Sequence, residues 1–424
     1  MKRTIYDEEH EAFRDTVRGY IETELVPHAE KWEAERLVDR SAYVAAGKHG
    51  LIGFNMPEEY GGGGSDDFRF NAIIDEEIAK AGVAAPALSL HNDVVGPYFK
   101  DLANDEQKQR WLPGIASGEL IIAIAMTEPG AGSDLAGIRT SAVRDGDDWI
   151  INGSKTFISS GINADLVIVV ARTDPEAGHK GFTLLVVERG MEGFTRGRKL
   201  DKVGLHAQDT SELHFENVRV PNANLLGKEG RGFYHLMQNL PSERLSIAIS
   251  AIAGARETWR QTLQYAKDRK AFGQPIGSFQ NNRFLLAEMD TELEVTEQYI
   301  DRCLQGVVDG ELTAVRRSTL TPMVRQAGHE VPLANISSGN AYLIQRMMTL
   351  LGQMYAIQES SGKPIEALCQ TSGVLLIDEA ENHLHPIWQK RFLRNVLSVF
   401  PNLQIIATTH SPFILASVPG ARVY

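Results

Sequence analysis

Apolar positions in the first quarter of the chain recur every three or four residues. Phe13, Val17, Tyr20, Ile21 and Leu25 make one stripe, and Pro27 marks its stop. Residues 71–80 and 105–115 keep the same period, so residues 5 to about 120 read as helices. The GGGG run at 61–64 reads as a flexible loop, since no strand–GxxxxGK[ST]–helix context makes it a phosphate loop. From about 120 to 215 the period changes. Runs at 120–124, 149–152, 165–171, 182–187 and 211–215 are β-rich, and turns at Asp145-Gly146, Asn152-Gly153 and Gly190 separate them. They predict a small all-β domain, a barrel or a sandwich. Beyond about Gly232 the helical period returns. Leu245, Ala248, Ile249, Ile252, Ala255, Trp259, Leu263 and Ala266 share one face of a long helix. Phe284, Leu285, Met289, Leu293 and Ile300 share the face of a second, over residues 282–308, and Gly310 ends it. Two long helices joined by a loop are half of a four-helix bundle. The fold class is α+β, in the order helices, sheet, helices.

Composition narrows the classes. The chain has 424 residues, 43% hydrophobic and 23% charged, which fits a globular protein of two to three domains. A formal net charge of -12 argues against a nucleic-acid coat. No apolar run approaches the roughly 18–20 residues that cross a bilayer, so no membrane partner is expected. The opening MKRTIYDEEHEAF lacks an apolar stretch, and no signal peptide is expected. Cys303 and Cys369 form neither a disulfide framework nor a zinc spacing, which points to a reducing, cytoplasmic setting and to no metal.

One stretch carries candidate chemistry. AMTEPGAGSD at 125–134 follows an apolar strand and holds Pro129, Gly130 and Gly132 within four positions. Such a bend keeps the backbone bare, so its amides can approach a planar ring or a phosphate, and Thr127 and Ser133 add hydroxyls. A plain surface turn is the alternative. No GxGxxG fingerprint links a strand to a helix, which argues against a nicotinamide enzyme.

TEPGAGSD, INGSKTFISSG at 151–161, SERLSIA at 242–248 and DRKAFGQPIGSFQ at 268–280 together resemble the acyl-CoA dehydrogenase family, in order and in separation, from about residue 5 to 315. The resemblance implies FAD as cofactor, an acyl-CoA substrate oxidised to the trans-2-enoyl-CoA, an electron-transferring flavoprotein as acceptor, and a homo-oligomer. It divides the chain into an N-terminal helical domain (1–119), a middle β domain (120–230) and an incomplete helical bundle (231–315). In the branch resembling the long-chain and isovaleryl enzymes, the base comes from the position of Glu243. On residues alone, Glu243 follows Pro241 and Ser242 at an expected helix start, where a glutamate also complements the helix dipole. The resemblance further places Met126, Thr127, Gly132 and Ser133 along the flavin, with Ser133 also near the acyl-CoA. It places Phe157 and Ser159 over the ring, Arg244 at the substrate end, and Arg269, Phe272 and Gln280 on the FAD of a neighbouring subunit.

After a junction at 316–332, residues 333–424 resemble the back of an ABC-type or OLD-like ATPase domain. LANISSGNAYLIQ, with Ser337, Ser338 and Gly339, is similar to a signature motif. GVLLIDEAENHLHP is similar to a Walker B strand, with Asp378 on Mg²⁺ and Glu379 on the attacking water. QIIATTHSPFIL supplies a second strand and His410 as switch histidine. Strand, helix and strand here predict a parallel βαβ unit. No GxxxxGK[ST] occurs, so an ATP site would need a P-loop from a partner. The expected activity is therefore a dehydrogenase that, for want of its last bundle helices, holds FAD weakly and has low or no turnover. The alternatives are an ATPase module needing a partner, or a chimeric fusion without catalysis.

Overall fold

The computed structural model describes residues 3–309, 323–326, 329–332, 370, 372–377, 389, 391–415 and 418. The chain divides into two compact units, Met1–Thr313 and Ala314–Tyr424.

In the first unit, helix α1 (Glu8–Tyr20) opens on Asp7, whose carboxylate accepts from the Glu9 and His10 amides. The chain does not stop at Pro27. It passes through a wide turn at Ile21–Leu25 and a tight turn at Val26–His28 into α2 (Ala29–Glu35). Pro27 falls in the first turn of that segment, where a missing N–H is tolerated. Helices α3 (Arg40–Lys48), α4 (Phe68–Ala81), α5 (Gly96–Leu102) and α6 (Asp105–Ala116) follow. Arg14 ties α1 to α4, reaching Glu76 at 2.9 Å and Glu77 at 2.8 Å. The GGGG run is not a free loop. The Gly64 amide donates to Met56 and that of Ser65 to Phe54, and a Cβ on Gly62 would meet the Met56 carbonyl at 2.1 Å. Glycine is required there for close backbone approach.

The β domain is one eight-stranded sheet, ordered β6-β7-β3-β2-β4-β5-β8 with β1 beside β4. Its strands are β1 (Ile122–Ala125), β2 (Ser141–Asp145), β3 (Asp148–Ser159), β4 (Leu166–Arg172), β5 (Phe182–Glu188), β6 (Phe194–Lys199), β7 (Thr210–Pro221) and β8 (Leu225–Leu226). A single residue pair, Ser141 with Arg172, joins β2 to β4, so the sheet falls into two halves. β1 runs parallel to β4, and both are apolar runs covered on both faces, apart from Arg172 at the end of β4. One core lies between sheet and helices, around Phe99, Trp111, Ile168 and Leu236. Another lies on the opposite face, around Trp149, Val167 and Phe215.

Helix α7 (Gly232–Asp268) begins nine residues before Pro241, which lies inside it. Glu243 is therefore an interior residue, and the expectation of a helix start at Pro241 is corrected. Proline has no N–H to give the carbonyl four residues back, yet packing against α4 and the sheet carries the helix through. A short hairpin, β9 (Lys270–Ala271) with β10 (Gln274–Pro275), leads into α8 (Gln280–Val308).

In the second unit, β11 (Met323–Gln326) and β12 (His329–Pro332) pair antiparallel. β13 (Gly373–Ile377) and β14 (Leu403–Ala407) pair parallel, with α9 (Phe392–Val399) between them in sequence, as the βαβ reading expects. Ile377, Phe392, Val396 and Phe400 form its core. His410 is exposed in the turn after β14. Ser337, Ser338, Gly339, Asp378 and Glu379 lie outside the described residues.

Candidate active site

The Glu243 side chain is nearly withdrawn from water, at 6% exposure. Tyr98, fully buried on α5, donates its phenol proton to Glu243 Oε1 at 2.9 Å. Burial pushes the Glu243 carboxyl up to about 7, against the opposing pull of the Tyr98 hydrogen bond and the Arg244 charge. A carboxyl poised there takes a proton from carbon far better than an ordinary surface glutamate. The dipole explanation for Glu243 fails, since the residue lies eleven positions past the first residue of α7.

The bend at 125–134 is anchored from below. Lys155 on β3 has no exposed surface, and its ammonium reaches the Met126 carbonyl at 3.0 Å and Glu128 Oε1 at 2.9 Å. Glu128 also accepts the Arg139 and Thr140 amides at 2.7 and 2.8 Å. Burial lowers Lys155 to about 8, while Glu128 holds it up. The Thr156 amide donates to the Thr127 carbonyl at 2.9 Å, which seats the bend against β3. There β3 loses register with β7 between Lys155 and Ile158, and Phe157 and Ser160 take left-handed backbone angles, φ 60° and 57°. Such angles are costly for residues other than glycine and mark a built site. Phe157 is 67% exposed, Ser159 is half-buried, and nothing lies within 4 Å of a Cβ placed on Gly130 or Gly132.

These residues suit a flat aromatic group. An exposed ring and bare glycine backbone border open space, and Thr127, Ser133 and Ser159 add hydroxyls, Ser133 exposed and the other two half-buried. The turn Leu90–Val95 packs on both β1 and α7, and Met126 joins the apolar cluster that holds Tyr98. Met126 of the bend and Tyr98, the partner of Glu243, thus share one apolar cluster. Arg244 is half-buried beside Glu243. Arg269, Phe272 and Gln280 are not brought there. They are exposed around the β9–β10 hairpin, and Arg269 lies 26 residues beyond Glu243 on α7, ~39 Å along the axis.

Three family models match the chain in series. They are the acyl-CoA dehydrogenase N-terminal domain at residues 7–119, its middle domain at 123–218 and its C-terminal domain at 230–372. The mitochondrial long-chain specific acyl-CoA dehydrogenase of Sus scrofa is 48% identical over 305 residues, 72% of this chain and 71% of that protein. The chain belongs to the acyl-CoA dehydrogenase family. The fold agrees with that of the Geobacillus kaustophilus acyl-CoA dehydrogenase, with a TM-score of 0.70 at 48% identity over 73% of this chain and 82% of that one. It agrees also with a Bacillus anthracis acyl-CoA dehydrogenase complexed with FAD, with a TM-score of 0.65 at 29% identity over 74% and 57%. Acyl-CoA dehydrogenases are FAD-dependent oxidoreductases acting on CH–CH groups. The C-terminal match runs on to 372, past residue 315 where the resemblance read from the motifs ends.

Sequence reasoning missed Tyr98, Lys155 and Glu128. Lys155 left a trace, as a charged residue amid the alternating apolar positions of β3. Tyr98 left none, because one tyrosine in VVGPYFKDL reads as core.

Proposed function

We propose that the chain oxidises a long-chain acyl-CoA to its trans-2-enoyl-CoA, with Glu243 removing the α proton. The buried, proton-avid Glu243 carboxyl carries this reading. Met126, Thr127, Gly132, Ser133, Phe157 and Ser159 would hold the FAD ring. The chemistry supplied by bound FAD is acceptance of the β hydrogen as hydride. Glu243 Oε2 has no hydrogen-bond partner among the described residues and takes the proton as the α C–H bond breaks. The apolar cluster around Met126 and Tyr98 excludes water, which keeps the carboxylate basic. Arg244, half-buried next to Glu243, would lie at the substrate end of the pocket. Electrons would leave to an electron-transferring flavoprotein.

The test is anaerobic. Protein supplied with excess FAD is mixed with palmitoyl-CoA, and flavin absorbance near 450 nm is followed. Bleaching is expected, and Glu243→Gln is expected to slow it by roughly 10²–10⁴. Bleaching by the variant at the parent rate would overturn the assignment.

The parallel β13–β14 pair favours a second reading of the tail, as part of a nucleotide-binding unit completed by a partner's P-loop. ATP binding that is lost on Asp378→Ala supports it; no binding with any partner present removes it.

A further inference from the structure

Tyr98 has no role in the chemistry described so far beyond one hydrogen bond, yet its placement is demanding. Its ring is packed in the main core and its hydroxyl is aimed at the one carboxyl the reaction needs. The Asn239 side chain, one turn before Glu243 on α7, is the phenol's other polar neighbour. Asn239 also lines a polar cavity of about 170 Å³ together with Asn71, Asp93, Lys100 and Ser242. A phenol has one proton. That proton is directed to Glu243 Oε1.

We propose that Tyr98 is the positioning residue for the base: it pins Oε1 and so presents Oε2 as the oxygen that takes the substrate proton. The inference rests on Glu243 being the base. Groups facing Glu243 are few. Tyr98 comes from α5 and Arg244 from α7 itself, while Asp75 of α4 and Asp93 meet Ser246 one turn further along. Neither aspartate touches Glu243, so the phenol is the neighbour that hydrogen-bonds its charged form. Loss of that bond leaves burial unopposed except by Arg244, and the carboxyl becomes harder to ionise. The proton affinity of the base rises, and its carboxylate population at low pH falls.

The experiment isolates the proton step. 3,3-Dimethylbutyryl-CoA has no β hydrogen, so no hydride can leave. Its α C–H bond breaks, the proton forms an O–H on Glu243, and the electron pair stays on the thioester as enolate. Reversal after exchange with D₂O places deuterium on the α carbon, read by mass spectrometry across pH 5–9. Tyr98→Phe keeps the ring and removes the hydroxyl. Exchange is expected to fall about tenfold at pH 6 and to match the parent within about twofold at pH 9, the inflection moving up by ~1 unit. Replacing Tyr98 by 3,5-difluorotyrosine, a stronger donor of the same shape, is expected to move it down. An unmoved inflection in both, or an equal loss at every pH with a lower melting temperature, would overturn the proposal and leave Tyr98 a packing residue. Glu243→Gln serves as the control. If it exchanges at the parent rate, the base assignment has failed, and not this inference alone.

Discussion

An unfolded chain releases the Glu243 proton near pH 4.5, whereas the folded chain holds it to about 7. Between those values the folded state binds a proton that the unfolded state does not, so stability falls as pH rises and stays low above 7. The shift amounts to roughly 3 kcal/mol for this nearly buried group. Glu243→Gln removes the charge and keeps an oxygen for Tyr98. It is expected to match the parent at pH 4 and to be more stable at pH 8 by up to ~3 kcal/mol, read by urea unfolding at both pH values. A variant no more stable at pH 8 would mean the carboxyl is not held proton-avid. The substitution that removes activity should therefore stabilise, as expected where a site is built against stability. Glu243 and the bend residues were legible because motifs carry them. Tyr98 and the Lys155–Glu128 pair were not, because their roles arise only when α5 meets α7 and the 125–134 bend meets β3, across dozens of residues.

The contact between α4 and α7 shows the same physics in a pair. Ser246 of α7 lies 2.9 Å from Asp75 and 2.5 Å from Asp93, and Asn71 donates to the other oxygen of Asp93. One hydroxyl has one proton and cannot donate to both carboxylates. One aspartate must itself carry a proton, and burial raises both. Asp93→Asn supplies an N–H where the shared proton sits: its oxygen accepts from Asn71, its amide donates to Ser246, and Ser246 donates to Asp75. The parent is expected to lose melting temperature from pH 5 to pH 8, and Asp93→Asn to lose less. Equal slopes in the two proteins would show that the pair is ionised. Periodicity found the elements themselves, but not their limits. Pro241 read as a start because a lone sequence does not show the packing that carries a helix through proline. The GGGG run read as slack because close backbone approach to Phe54 and Met56 has no local signature.

At the scale of the whole molecule, the candidate site is divided. Arg269, Phe272 and Gln280, which the family resemblance assigns to FAD, lie around a hairpin ~39 Å along α7 from Glu243. No bend in α7 returns them, since the helix is continuous from Gly232 to Asp268. Phe272 is 96% exposed, and Phe284, Met289 and Tyr299 of α8 are exposed as well. Bare aromatic surface of this kind is unusual unless it meets a partner. If the hairpin completes the FAD site of a second copy, sedimentation should give a mass of at least twice 46.8 kDa. Phe272→Asp tests the link between assembly and cofactor. The ring is held by little of its own subunit, so the variant should keep the parent's melting temperature without FAD. It should bind FAD at least tenfold more weakly and sediment as a smaller species. A monomeric parent with one tightly held FAD per chain, or a variant that binds FAD as the parent does, would show instead that each chain holds its cofactor alone.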